Sequence, residues 1–198
     1  MNSKRTITID FFELGVQGEI AHVESHLLNA QLEANDELKR LKKEEAEAAE
    51  GEFENYQTYL GYLNHIEDRV YAASEILHVA EEFSLVALYR VLELNTKTSL
   101  LKLYDQEEVD SCYASDKLVD LVRQAGVDIP SIDKFRGIDE LRKLSNSVKH
   151  SGKVSSELAD YPEWKEGERL SNLPKAFERL APCVLPFLLD LRKRLSAL

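Results

Sequence analysis

Cysteine is scarce in this chain. Two residues in 198, Cys112 and Cys183, make no disulfide framework, and both are expected to be reduced. There is no CxxC, no HExxH and no other metal-ligand spacing, so neither zinc nor another metal is expected. Long apolar runs are missing too. The longest, LAPCVLPFLL over residues 180–189, is too short for a bilayer and holds two prolines, which excludes a membrane partner. The opening MNSKRTITIDFF lacks the apolar centre of a signal peptide, and a cytoplasmic location is the expectation. Positive charge is in the minority: 25 Lys and Arg against 36 Asp and Glu leave a net charge of −11. Such a chain has no general field for nucleic acid, so any RNA contact has to be local.

What is there points to helix. Eight glycines and five prolines are few, and most fall where elements would end. With 43% hydrophobic and 31% charged residues the composition is that of a globular protein, with enough chain for one good core, or one core plus a protruding arm. RTITIDF alternates like a short strand, though no partner strand is evident. From Gly18 to Glu50 the spacing is helical. Its charged half is expected to be laced by the pairs Asp36–Arg40, Arg40–Glu44 and Lys43–Glu47. Residues 53–74 fit a second helix running antiparallel to it, with Gly51 near the turn and the tyrosines 56, 59 and 62 packing. Residues 1–72 thus read as a helical hairpin and 73–198 as a bundle.

Residues 75–104 read as the bundle's central helix. Ile76, Val79, Phe83, Leu88, Leu94 and Leu101 place apolar groups all round it, which predicts burial on most sides. Arg90, Glu93 and Lys97 share one stripe at i, i+3 and i+7, either as a self-compensating ionic cluster or as part of a binding site. Ser115 or Asp116 caps a short helix that Gly126 ends, and Ser131 is the expected N-cap of the next. KVSSELADYPEWKEGERLSN then lies over the bundle through Tyr161, Pro162 and Trp164, with a lid over the site as the alternative. Pro174 suits the first turn of the last helix, Pro182 and Pro186 should kink or restart it, and Arg192, Lys193 and Arg194 read as a solvated basic patch.

The richest segment is DELRKLSNSVKHSGK, residues 139–153. On a helix, Ile138, Leu141, Leu144 and Val148 form the core stripe. Arg142, Asn146 and His150 follow at i, i+4 and i+8 on nearly the opposite side. A cation, an amide and an imidazole that titrates near neutrality are lined up away from the core.

LVALYRVLELNTKTSLLKLY, a spacer and ELRKLSNSVKHSGK together resemble the HEPN-like superfamily over roughly residues 75–152. The fold this implies is all-α: an up-and-down helical bundle of four-helix type, here with a long N-terminal helical hairpin. The resemblance implies a homodimer. It also implies a role among toxins, defence factors or nucleotide-binding partners, with RNA or a nucleotide as ligand and a protein such as an antitoxin as partner. Active relatives resemble metal-independent endoribonucleases, so no cofactor is called for. In those, an arginine, commonly followed by asparagine, precedes a histidine on one helix. His150 occupies the histidine position, preceded by Lys149, and Asn146 the polar one. Ser145 stands where the arginine would be. Arg142, one turn earlier, or Arg90 would have to supply that charge. His150 would then act as base, Arg142 or Lys149 would stabilise the charged transition state, and Asn146 would hold the imidazole or a phosphate oxygen. Arg90, Glu93 and Lys97 would complete the substrate site. Three readings stay open: a ribonuclease, a HEPN-like module that binds without catalysis, and a helical protein-interaction adaptor working through its N-terminal hairpin.

Overall fold

In the computed structural model, residues 11–112 and 115–198 are described, the side chains of Ser115 and Asp116 excepted. The RTITIDF strand expectation lies outside them up to Phe11, which opens a helix. The architecture is an all-α helical bundle. Helix α1 spans Phe11–Glu47 and α2 spans Tyr56–Leu100, with a 3₁₀ turn at Glu50–Glu52 between them. There follow α3 (Gln106–Asp110), α4 (Ser115–Gln124), a 3₁₀ turn at Ile129–Ser131, α5 (Phe135–His150), a 3₁₀ turn at Leu158–Asp160 and α6 (Leu173–Leu195). Among the described residues the one β-type pairing is an isolated bridge, Lys153 to Arg169. No helix among them is long and apolar enough to cross a membrane.

The described residues form two compact units: residues 24–84, and residues 11–23 with 85–198. In the first, α1 and α2 run antiparallel. Leu27, Ala34 and Leu41 on α1 and Ile66 and Ala73 on α2 recur at helical spacing and are buried. Arg69 of α2 reaches Glu37 and Glu44 of α1 at 3.0 and 3.6 Å, and the Tyr62 hydroxyl donates to Glu44. Phe53 stacks obliquely on Tyr59 and Tyr62, so these tyrosines pack near the turn. Two of the expected pairs form, Arg40–Glu44 and Lys43–Glu47. The third does not, because Arg40 turns to Glu37 at 2.6 Å and Asp36 pairs with Lys39.

Residues 53–74 and 75–104 are not two helices. No glycine or proline separates them, and the i→i−4 ladder of α2 runs through. Nor is α2 buried on most sides: Ile76, Val79, Phe83 and Leu94 are exposed, as is Leu101 just past its end. All-round apolarity leads to burial only where neighbours exist on all sides, and an antiparallel partner covers one.

In the second unit, Leu141, Leu144, Leu180 and Leu188 are fully buried along α5 and α6. The helices approach closely at Gly137, where a Cβ would stand 2.7 Å from Cys183 Sγ. Gly126 (φ 82) ends α4 with its N–H on the Arg123 carbonyl and that of Val127 on Val122, the paired bonds of a Schellman stop. Ser131 does not cap α5. It closes the preceding 3₁₀ turn, buried Ile132 follows in extended conformation, and Lys134 (φ 61) precedes the helix. Helix α6 carries Pro182 and Pro186 as one helix and does not restart. Its end is no solvated patch: Arg194 bonds the Ser131 hydroxyl and carbonyl and the Asp190 carboxylate, and Arg192 lies over the Phe12 ring.

Candidate functional site

Helix α5 is built from two periodic patterns. Ile138, Leu141 and Leu144 recur at i and i+3 and are buried, with Val148 half-buried, as the core stripe requires. The polar stripe is graded along the helix: Arg142 and Asn146 are half-buried, while Lys149 and His150 are exposed in the last turn. Gly152 (φ 63) stops the helix and donates to the Ser147 carbonyl.

A cleft of about 250 Å³ lies beside α5. Its walls come from α2 (Tyr89, Leu92, Glu93, Thr96), α4 (Leu118, Val122, Arg123), the turn at Ile129, α5 (Ile138, Asp139, Arg142) and α6 (Phe187, Leu191). Both expected charged stripes contribute, Glu93 from one and Arg142 from the other. Arg90 is mostly exposed and bonds Glu93 at 2.8 Å, and Lys97 stands 3.8 Å from the same carboxylate. The i, i+3, i+7 stripe is therefore an ionic cluster whose carboxylate also borders the cleft. Asn146 and His150 do not line it. Lys149 reaches the rim differently, with its ammonium 5.3 Å above the ring of Tyr89.

The electrostatics centre on Asp139. Its carboxylate accepts from Tyr161 at 2.8 Å and from Arg142 at 3.0 Å, and Lys143 stands 3.1 Å away. Burial, the largest single influence, pushes its pKa up. The bonds from Tyr161, Lys143 and Arg142 together outweigh burial and hold it below the ordinary value. The Tyr161 hydroxyl is driven well above its usual range, first by burial and then by that bond. A carboxylate depressed in the folded state stabilises it above the unfolded value of about 3.9, and that stability is lost as pH falls through the lower folded value. Urea midpoints followed from neutral to strongly acidic pH are expected to drop on this acid side. Asp139→Asn is expected to flatten the drop; an acid limb identical in both proteins would count against the network.

One residue along, Glu140 is 2% exposed. It accepts from Trp164 Nε1 at 2.7 Å and is gripped bidentately by Arg179 at 2.5 and 2.7 Å. Sequence reading missed this pair, because its partners lie 24 and 39 residues away. The only local signal was an acidic residue on the core side of an amphipathic helix. Residues 152–170 act as a strap. Backbone bonds between Gly152 and Leu170, Val154 and Glu168, and Gly167 and Val154 tie its ends, and Leu158, Tyr161 and Trp164 are buried in between. It packs against α5 and lines no part of the cleft, so it is not a lid. Among the described residues no group of His, Cys, Asp and Glu is arranged to hold a metal ion.

No family model matches the chain, and neither does any curated protein or solved structure with which it was compared.

Proposed function

We propose that the chain is a HEPN-like helical module that binds a nucleotide or an RNA end in the cleft beside α5 and does not turn it over. One observation carries this reading: Glu93 and Arg142 line one cleft while Asn146 and His150 stand outside it. Leu92, Ile138 and Phe187 offer apolar walls to the faces of a base. Glu93 offers an acceptor for ring amines, and Arg142 a cation for phosphate. Catalysis of the family's kind would need arginine and histidine at one reacting phosphate, whereas Arg142 and His150 are separated by about 12 Å of helix axis. The resemblance brings a homodimer with it, and the two free cysteines suit a cytoplasmic setting. The test is equilibrium binding of mononucleotides and a short labelled RNA. Arg142→Ala is expected to weaken binding about tenfold or more, the worth of one charge-assisted contact, and His150→Ala to leave it unchanged. Binding indifferent to Arg142, or lost with His150, would sink the reading.

A second reading, a metal-independent endoribonuclease of a toxin or defence system held by an antitoxin-like partner, draws on a different observation. Lys149 and His150 are exposed together at the end of α5, with Asn146 one turn behind. Purified protein incubated with total cellular RNA in EDTA decides it. Cleavage that disappears in His150→Ala would establish the ribonuclease in place of the binding module; intact RNA with folded protein leaves the binding module standing.

A further inference from the structure

The charge of this chain is segregated. Residues 24–84 contain fifteen Asp and Glu against five Lys and Arg, a net −10 of the chain's −11. The remaining residues are nearly balanced, with 21 acidic and 20 basic side chains. The acidity noted from composition therefore belongs to one 61-residue unit.

That same unit leaves an apolar helix face uncovered. Ile76, Val79 and Phe83 of α2 stand at i, i+3 and i+7 and so share one stripe. Ile76 and Phe83 are each 67% exposed and Val79 is 44% exposed. The buried set of this stretch, Ile66, Ala73 and Ser84, occupies a different side. Scattered exposed apolar residues need no explanation, but a stripe at helical spacing is the pattern by which one amphipathic helix receives another. Glu75, Glu81 and Glu82 lie within the same turns.

We propose that the 24–84 unit is a docking surface for a lysine- and arginine-rich amphipathic helix of a partner protein, whose apolar side covers Ile76, Val79 and Phe83. Charge selects this occupant. Residues 70–84, which carry the stripe, hold Glu75, Glu81 and Glu82 and no Lys or Arg, so a second copy seated there would set like charges against each other inside the roughly 8 Å over which salt screens charge at physiological strength. Nucleic acid and anionic lipid surfaces carry the same repulsive sign. A cationic helix meets both features at once: its charges complement the unit, and its apolar stripe removes the exposed side chains from water.

The full chain is titrated with three synthetic peptides of equal length. One has lysine and leucine patterned as an amphipathic helix, one has glutamate and leucine in the same pattern, and one has lysine and serine with the first peptide's charge. The lysine–leucine peptide is expected to bind at least about tenfold tighter than either control and to weaken with added salt. The double variant Ile76→Ser, Phe83→Ser is expected to lose that preference. Both positions are exposed, so the fold should survive; helix content checks this, and Val79→Ser serves as a second variant. Equal binding of the lysine–serine peptide, or an unchanged double variant, would reduce the effect to unspecific charge and overturn the proposal. Self-association of the wild type that the double variant abolishes would assign the face to a second copy and overturn it as well.

Discussion

Arg179→Ala is expected to cost the folded state about 3 kcal/mol, at the low end for breaking a buried ion pair because the arginine itself is partly exposed. The loss comes from what remains. Glu140 would be left in a site 2% open to water without its cationic partner, with the Trp164 N–H as its one remaining donor among the bonds described. The carboxylate in turn holds the Arg179 guanidinium above its ordinary pKa. For a chain of this length the melting temperature should fall by roughly 6–12 °C. The double variant Glu140→Met, Arg179→Met is expected to recover part of that, since it leaves no buried charge and only the indole N–H without its acceptor. Thermal unfolding of the wild type, Glu140→Met, Arg179→Met and the double variant completes the cycle. A melting point for Arg179→Ala within a degree of the wild type would mean that the pair does not hold α5 to α6 as described.

Gly137→Val should be comparably damaging, at about 3 kcal/mol, for a steric reason. A Cβ at residue 137 would stand 2.7 Å from Cys183 Sγ and 3.2 Å from its Cβ. The sulfur is on a short side chain anchored in α6, so relief requires the helices to move apart, and overpacking of this kind costs about 1–3 kcal/mol even before β-branching is added. Gly137→Ala isolates the contact. Helix propensity alone would favour alanine by up to about 1 kcal/mol, so a net loss measures the clash. Adding Cys183→Ala to Gly137→Ala should return most of the stability. If Gly137→Ala instead melts higher than the wild type, the close approach is not present in solution.

The legible parts of this fold were those set by neighbours within one turn. Ile138, Leu141 and Leu144 announced the buried side of α5 by spacing, and Gly126 and Gly152 its neighbouring stops. Arg90, Glu93 and Lys97 announced an ionic cluster, because i+3 and i+4 partners must meet whatever surrounds them. What sequence could not supply was the surroundings. The apolar residues of α2 looked like a buried helix, and only the exposure of Ile76 and Phe83 in the folded chain decides otherwise. Ser131 looked like a cap, but burial of Ile132 pulls the chain past it and moves the start of α5 to Phe135. In the candidate site, periodicity placed Arg142 and Glu93 on polar stripes, and the fold brings both to one cleft. The same periodicity put His150 in line with Arg142. It could not show that the burial of the stripe fades toward the helix end, nor that Asp139 would be bound to a tyrosine 22 residues on.

Trp164 is the chain's only tryptophan, and it lies where the strap meets α5. Its emission therefore reports a single junction. Excited selectively, it should fluoresce as a buried indole and shift to the red when the strap lifts or Glu140 loses its hold. An event confined to residues 24–84 should leave the spectrum untouched, since no indole lies there. A lifting of the strap and a helix that docks on the hairpin would thus be told apart in one cuvette, with no label attached.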